Sequence, residues 1–206
     1  MGRIKTTVEL LDMVKDVDFV IEAVPERLDL KREIFAEIDG VAPKHCIFAS
    51  NTSGLPITFM AEAVKRPKKV IGMHWFNPPQ LMRLIEVVKT KYTSDETVKA
   101  VFELSKKLGK TPILVKRDIK GFIANRVYRA ISTEAFLMYL RGSGTNKIDA
   151  ACRYKLRLPL GPFELTDFAS ASYEALGDRF RVDGEKEAEE PRREGLQRKG
   201  PETVGH

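Results

Sequence analysis

His74 and Glu86 flank an Asn-Pro-Pro turn in the segment HWFNPPQLMRLIEV. Apolar runs lie on both sides of the turn, VIGMHWF before it and LIEVVKT after it, and each predicts a strand. The chain reversal lets the second strand return beside the first and brings Glu86 near His74. A carboxylate beside an imidazole selects one tautomer and stabilises the imidazolium, as a general base near neutral pH requires. The same spacing also fits a surface turn in which His74 is a satisfied buried histidine and Glu86 is solvated.

Two further segments carry polar side chains where a ligand can reach them. ASNTSGLPI places Asn51, Thr52 and Ser53 just past an apolar strand, and KGFIANR places Asn125 and Arg126 in the first turns of a helix. Alone, each segment fits an Asx-type turn with a helix cap, or a polar helix face. Together they indicate a ligand crevice, because open α/β sheets bind ligands beyond the carboxyl ends of their strands.

Strands and helices alternate along the first part of the chain. The pattern predicts strands over 19–24, 46–51, 70–76, 84–90 and 112–116, and helices over 28–40, 56–64 and 94–110. Leu30, Ile34 and Ile38, for example, give the first of these helices an apolar face. This alternation predicts an α/β, Rossmann-like, doubly wound sheet.

Strand signals cease after about Arg117, where helices are predicted over 121–142 and 146–153. We therefore expect a sheet domain over residues 1–117 and a helical domain over residues 118–177. Residues 178–206 are rich in mixed charge, Gly and Pro, which predicts a disordered tail.

Composition narrows the partners. The net charge is +6, with the charges interspersed, and a phosphate-bearing ligand such as a nucleotide or coenzyme A fits that charge. No nucleic-acid-binding module is present, and no apolar run approaches the ~20 residues of a membrane helix, so neither partner is expected. Cys46 and Cys152 form no CxxC motif, which indicates a reducing, cytoplasmic location, and no metal is expected.

Five separated motifs resemble one known family in order and spacing. They are FVIEAVPE, FASNTSGLPI, GMHWFNPPQLMRLIEVVKT, LGKTPILVKRDIKGFIANR and LPLGPFEL, within residues 1–168, and they resemble the 3-hydroxyacyl-CoA dehydrogenase family. The resemblance implies part of a Rossmann domain followed by an all-α dehydrogenase domain. It also implies NAD as cofactor, an acyl-CoA substrate and a homodimer through the helical domain. The implied reaction oxidises an L-3-hydroxyacyl-CoA to the 3-ketoacyl-CoA in fatty-acid β-oxidation.

The resemblance also assigns roles to individual residues. His74 matches the catalytic base, Glu86 its carboxylate partner, Ser53 a serine between substrate and nicotinamide, and Asn125 an asparagine that holds the substrate oxygen. The positions matched to the NAD groove are Ala23, Glu26, Lys31, Asn51, Ser53 and Asn77.

The sequence departs from the family before its first predicted strand. No strand followed by GxGxxG precedes residue 19, and the acidic residue that binds the adenosine ribose is also missing. Without that glycine loop, pyrophosphate contacts are lost and NAD binding is expected to weaken. The alternative to an active dehydrogenase is therefore a catalytically impaired remnant that acts as a non-enzymatic binding or assembly module.

Overall fold

The structure is a computed structural model, and it describes residues 4–168. The tail predicted over 178–206 lies outside the described residues. Within the described residues, contacts divide the chain into two units, with the boundary between Glu134 and Ala135. The domain boundary near residue 117 stays a prediction.

The first unit alternates strands with helices. Its strands are β1 (Phe19–Glu22), β2 (Ile47–Ser50), β3 (Val70–Trp75), β4 (Leu84–Val88) and β5 (Thr111–Val115). Its helices are α1 (Leu10–Val14), α2 (Leu28–Asp39), α3 (Ile57–Ala61) and α4 (Asp95–Lys107), with a 3₁₀ turn over Pro67–Lys69. Helix α5 (Ala124–Leu140) continues into the second unit, which also holds α6 (Thr145–Lys155) and α7 (Pro162–Phe168).

The strands form one sheet in the order β1-β2-β3-β4-β5. Strands β1, β2 and β3 run parallel, β4 returns antiparallel to β3, and β5 is parallel to β4. A mostly parallel sheet with intervening helices, followed by a helical segment, confirms the predicted Rossmann-like fold class.

Alternation along the strands gives the sheet two apolar faces. Phe48, Val70 and Val88 lie in one buried cluster, which also includes side chains of α2 and α3. Ile47 and Val87 lie in the other, which includes Val101 of α4. The sheet therefore has helices on both faces, and its apolar runs are buried as a parallel sheet requires.

Helix α3 packs very closely on the sheet at Gly72. A Cβ atom there would lie 2.3 Å from Ile57 Cδ1 and 2.8 Å from Val88 Cβ, so only glycine fits between the helix and the neighbouring strand. By alternation, the face that carries Val70 and Gly72 next presents His74, at the end of β3. The packing thus fixes the strand on which the candidate base lies.

Candidate active site

His74 and Glu86 lie directly opposite each other in the antiparallel register of β3 and β4. Opposite positions share one face of a sheet, so the two side chains meet. His74 Nδ1 is 2.7 Å from Glu86 Oε2. Both residues are buried, with 5% of His74 and 0% of Glu86 exposed. The turn at Asn77–Pro79 thus brings these two side chains together.

The pairing defines the two ring nitrogens of His74. A carboxylate oxygen can only accept, so Nδ1 donates and Nε2 becomes the proton-accepting nitrogen of the neutral ring. Within residues 4–168, Nε2 has no hydrogen-bond partner. The ring centroids of Phe76 and Phe122 lie 4.8 and 5.5 Å from that of the imidazole and restrict its orientation. The ring is therefore prepared to take a proton at Nε2.

Glu86 also holds the start of helix α5. Its Oε1 accepts the backbone N–H groups of Ile123 at 2.8 Å and Ala124 at 2.9 Å. Burial by itself raises the pKa of Glu86, but the hydrogen bonds from His74, Ala124 and Ile123 outweigh it and lower the pKa below its ordinary value. The carboxylate therefore stays ionised, as a partner for an imidazolium must.

An unusual backbone conformation aims those two N–H groups. Gly121 has φ +77° and Phe122 has φ +47°. Glycine adopts the left-handed region freely, whereas a bulky side chain there is strained. Phe122 is only 1% exposed and packs against His74, which holds it in place. This left-handed pair is also why α5 begins at Ala124 and not at the predicted residue 121.

Ser53 and Asn125 are joined across the site. Asn125 Nδ2 donates to the backbone oxygen of Ser53 at 3.0 Å, which links α5 to the loop after β2. Ser53 is exposed and Asn125 partly so. Among the described residues, the Ser53 hydroxyl has no partner. The Ser53 hydroxyl can therefore reach a ligand while its backbone is held, and the Asn125 side-chain amide is held beside it.

Glu26 and Lys31, two of the predicted cofactor residues, lie behind the same loop. Glu26 Oε1 accepts the Thr52 hydroxyl at 2.5 Å and the Ser53 N–H at 3.1 Å. Lys31 Nζ is 3.3 Å from Glu26 Oε2, with the lysine side chain 1% exposed and the glutamate side chain 47% exposed. Glu26 thus presents a carboxylate of fixed orientation at the surface.

The remaining predicted cofactor residues are less constrained. Asn51 Oδ1 accepts the N–H of Trp75 at 2.9 Å, next to His74. Ala23 and Asn77 are exposed, and no hydrogen bond within residues 4–168 joins their side chains to the other predicted positions. Their contact with a cofactor stays a prediction.

Sequence reasoning missed two buried polar residues and one aromatic residue beside the site: Glu22, Ser50 and Phe122. Glu22 carried a usable signal, because a single charge inside an apolar strand run is buried only when it is paired. Ser50 carried no comparable signal. The conformation of Phe122 depends on a tertiary contact and could not be read locally.

Two classes of feature are absent from residues 4–168. No three His, Cys, Asp or Glu side chains gather there as a metal ion would need. No helix in that part of the chain is long and apolar enough to cross a membrane.

The His74–Glu86 pair lies near the carboxyl end of β3 in a Rossmann-like sheet, and family comparison agrees with the resemblance seen in the sequence. The NAD-binding domain model of 3-hydroxyacyl-CoA dehydrogenases matches residues 1–119, and the C-terminal domain model of the same enzymes matches residues 121–194. The chain therefore belongs to the 3-hydroxyacyl-CoA dehydrogenase family.

Individual relatives agree. The chain is 40% identical over 194 residues to the mitochondrial hydroxyacyl-coenzyme A dehydrogenase of Homo sapiens, covering 93% of this chain and 60% of that protein. It is 40% identical over 191 residues to the fatty acid oxidation complex subunit alpha of Shewanella amazonensis, covering 88% of this chain and 27% of that protein.

The fold matches solved structures of the same kind. The crystal structure of (S)-3-hydroxybutyryl-CoA dehydrogenase from Ralstonia eutropha superposes with a TM-score of 0.76 and 39% identity, over 87% of this chain and 65% of that one. In length, the chain spans about 60% of the human relative described above.

Proposed function

We propose that this chain carries the catalytic centre of an NAD-dependent 3-hydroxyacyl-CoA dehydrogenase acting in fatty-acid β-oxidation. The buried His74–Glu86 pair, with Nδ1 and Oε2 2.7 Å apart, is the observation that carries the proposal. The names of the relatives, which include hydroxyacyl-coenzyme A dehydrogenases and a fatty acid oxidation complex subunit, support the substrate class.

In this mechanism His74 Nε2 takes the proton of the 3-hydroxyl group. Glu86 stabilises the imidazolium that forms, because its ionised carboxylate already holds Nδ1–H. The Ser53 hydroxyl and the Asn125 amide orient the substrate oxygen, and the hydrogen bonds that hold the Ser53 backbone and the Asn125 side chain limit the entropy lost on reaching the reactive geometry. For each hydroxyl oxidised, one proton passes to His74 and one hydride leaves C3.

NAD, when bound, supplies the hydride acceptor. Glu26 fits such a cofactor, because an exposed carboxylate with a fixed orientation accepts hydrogen bonds from ribose hydroxyls. Lys31 and Asn51 support the same groove from within, and Ala23, Ser53 and Asn77 lie at its surface. These six residues are the proposed cofactor positions.

Three further features belong to the proposal. A Rossmann part over residues 1–117 precedes a helical part over residues 118–177. The helical part forms a homodimer, which is supported by Met138, Tyr139 and Leu140, whose side chains are 43%, 47% and 63% exposed. The protein works in the cytoplasm.

The test is acetoacetyl-CoA-dependent oxidation of NADH by the purified chain. We expect turnover, and we expect His74→Ala to lower it by about 10²- to 10⁴-fold, the usual contribution of a general base. His45→Ala is the matched control, because His45 pairs with Asp18 at the surface with 63% of its side chain exposed. A His74→Ala variant with a normal rate contradicts the proposed role.

A calorimetric titration with NADH distinguishes an active dehydrogenase from the alternative, a chain that has no catalytic activity. A folded wild-type chain that binds NADH but shows no turnover is a binding module. A folded chain that shows neither binding nor turnover is a catalytically impaired remnant.

A further inference from the structure

Lys31, one of the proposed cofactor positions, forms a buried ion pair with Glu22, which has no role in the chemistry described above. Lys31 Nζ is 2.7 Å from Glu22 Oε1, and both side chains are only 1% exposed. Glu22 ends β1, and Lys31 lies in the first turns of α2. A buried charge is tolerated only when it is paired and hydrogen-bonded, so the pair must be held in a defined geometry.

Glu22 is fully engaged by its surroundings. Its Oε1 accepts the Val24 N–H at 2.7 Å as well as Lys31, and its Oε2 accepts the Ser50 hydroxyl at 2.6 Å. Lys31 Nζ also donates to the Val24 carbonyl at 3.0 Å. The ends of β1 and β2 and the start of α2 are thus joined through one carboxylate.

Lys31 extends this network to the surface through a second carboxylate. Its Nζ lies 3.3 Å from Glu26 Oε2, while Glu26 Oε1 accepts the Ser53 N–H at 3.1 Å. Glu26 therefore stands between a buried cation and the loop that carries Ser53.

We propose that Glu22 is a positioning residue for the cofactor groove: it neutralises Lys31, so that Glu26 stays turned toward Ser53. This inference rests on the proposed function. In a Glu22→Gln variant, Glu26 is the one carboxylate left within 4.0 Å of Lys31 Nζ among the described residues. Glu26 then turns toward Nζ and releases the Ser53 N–H, because an unpaired buried charge costs far more than one exposed hydrogen bond.

The same helix offers a matched control at its other end. Asp39, the last residue of α2, pairs with Arg66 Nε at 2.6 Å and accepts the Lys65 N–H at 2.7 Å. Its side chain is 3% exposed, so it is also a buried carboxylate on a cation. Its partners hold the loop before β2 and do not include Glu26 or Ser53. Asp39→Asn therefore perturbs a comparable ion pair without touching the groove.

The experiment compares Glu22→Gln, Asp39→Asn and the wild-type chain by two readouts. The first is amide hydrogen exchange at Ser53 without any ligand. We expect Glu22→Gln to speed exchange at Ser53 by at least about tenfold, the factor for one lost hydrogen bond to a charged group, while Asp39→Asn leaves it unchanged. Ser50→Ala removes only one donor to Glu22, so we expect it to speed exchange at Ser53 by a smaller factor. This variant replaces Glu22→Gln in the experiment if Glu22→Gln does not fold.

The second readout is the KM for NADH against kcat and the KM for acetoacetyl-CoA. We expect Glu22→Gln to raise the KM for NADH by about tenfold with little change in the KM for acetoacetyl-CoA. Equal effects of Glu22→Gln and Asp39→Asn, or unchanged Ser53 exchange in Glu22→Gln, overturn the inference. A wild-type chain that does not bind NADH counts against the proposed function, and Ser53 exchange then decides the role of Glu22 by itself.

Discussion

Each of the two units has a buried carboxylate that accepts backbone N–H groups at the start of a helix. Glu86 accepts the N–H groups of Ile123 and Ala124 at the start of α5. Asp149 accepts those of Phe163 and Glu164 at the start of α7. Both satisfy backbone donors that a helix leaves without partners.

The difference lies in how each carboxylate uses its two oxygens. Asp149 uses Oδ1 for one N–H and Oδ2 for the other. Glu86 takes both N–H groups on Oε1, which leaves Oε2 for His74. The free oxygen converts a helix cap into a partner for a base. A buried carboxylate at the start of a helix therefore indicates a catalytic role only when its second oxygen binds a catalytic side chain and not another backbone N–H.

Removing the charge of Glu86 has the largest expected effect. In Glu86→Gln the amide nitrogen can donate to Nδ1 of His74, which moves the ring proton to Nε2 and removes the base. We expect turnover with acetoacetyl-CoA and NADH to fall by about 10²- to 10⁴-fold. Steady-state kinetics on a variant whose folding is verified by circular dichroism measures this. A rate near that of the wild type would mean that Glu86 is only a cap.

Removing Asp149 should affect stability alone. Asp149→Ala leaves the N–H groups of Phe163 and Glu164 without their acceptor, so we expect the free energy of unfolding to fall by about 1–3 kcal/mol. Urea denaturation measures the loss. Turnover per folded molecule should stay that of the wild type, and a large loss of turnover would remove the contrast with Glu86.

A helix cap that carries no charge should contribute less to the free energy of unfolding than Asp149 does. The Ser94 hydroxyl accepts the Thr97 N–H at 3.1 Å at the start of α4, with no charge involved. Ser94→Ala is expected to lower the free energy of unfolding by about 1 kcal/mol and leave turnover unchanged. A loss that matches that of Asp149→Ala in parallel urea titrations would show that the carboxylate adds nothing as a cap.

The smallest expected difference is in acid stability. The folded pKa of Glu86 lies below its ordinary value of 4.5, so its ionisation stabilises the fold above that value. This contribution is lost as the pH falls through the folded pKa. Glu86→Gln should therefore show a weaker decline in unfolding free energy below pH 4.5 than the wild type does. Identical slopes in acid urea titrations would contradict the lowered pKa.

The sequence predicts the sheet well because strand signals are local. All five predicted strands are present, and their ends differ by a residue or two. Helix α5 begins later than predicted because the left-handed backbone at Gly121 and Phe122 depends on Glu86, which is remote in the chain. The short helices α1 and α7 were not predicted. Helix α7 depends on Asp149, and Gly161 leaves room for that side chain, since a Cβ there would lie 2.3 Å from Asp149 Oδ1.

Part of the candidate site also follows from the sequence. The turn between two strands suffices to place Glu86 beside His74, because antiparallel neighbours face each other. The pairing of Glu22 with Lys31 was not foreseen, although both residues lie in patterned segments. A residue on a strand and a residue on the following helix come into contact only in the folded βα unit. The apolar periodicity of each segment carries no information about that contact.

The most direct test of the central claim is the tautomer of His74, measured by ¹⁵N NMR on the histidine-labelled chain. The chain has three histidines, His45, His74 and His206, so the spectrum is simple to assign with His74→Ala as a reference. At a pH where the ring is neutral, we expect the proton on Nδ1 and none on Nε2, and a switch to Nε2–H in Glu86→Gln. A wild-type ring protonated at Nε2, or a tautomer that Glu86→Gln does not change, would contradict it.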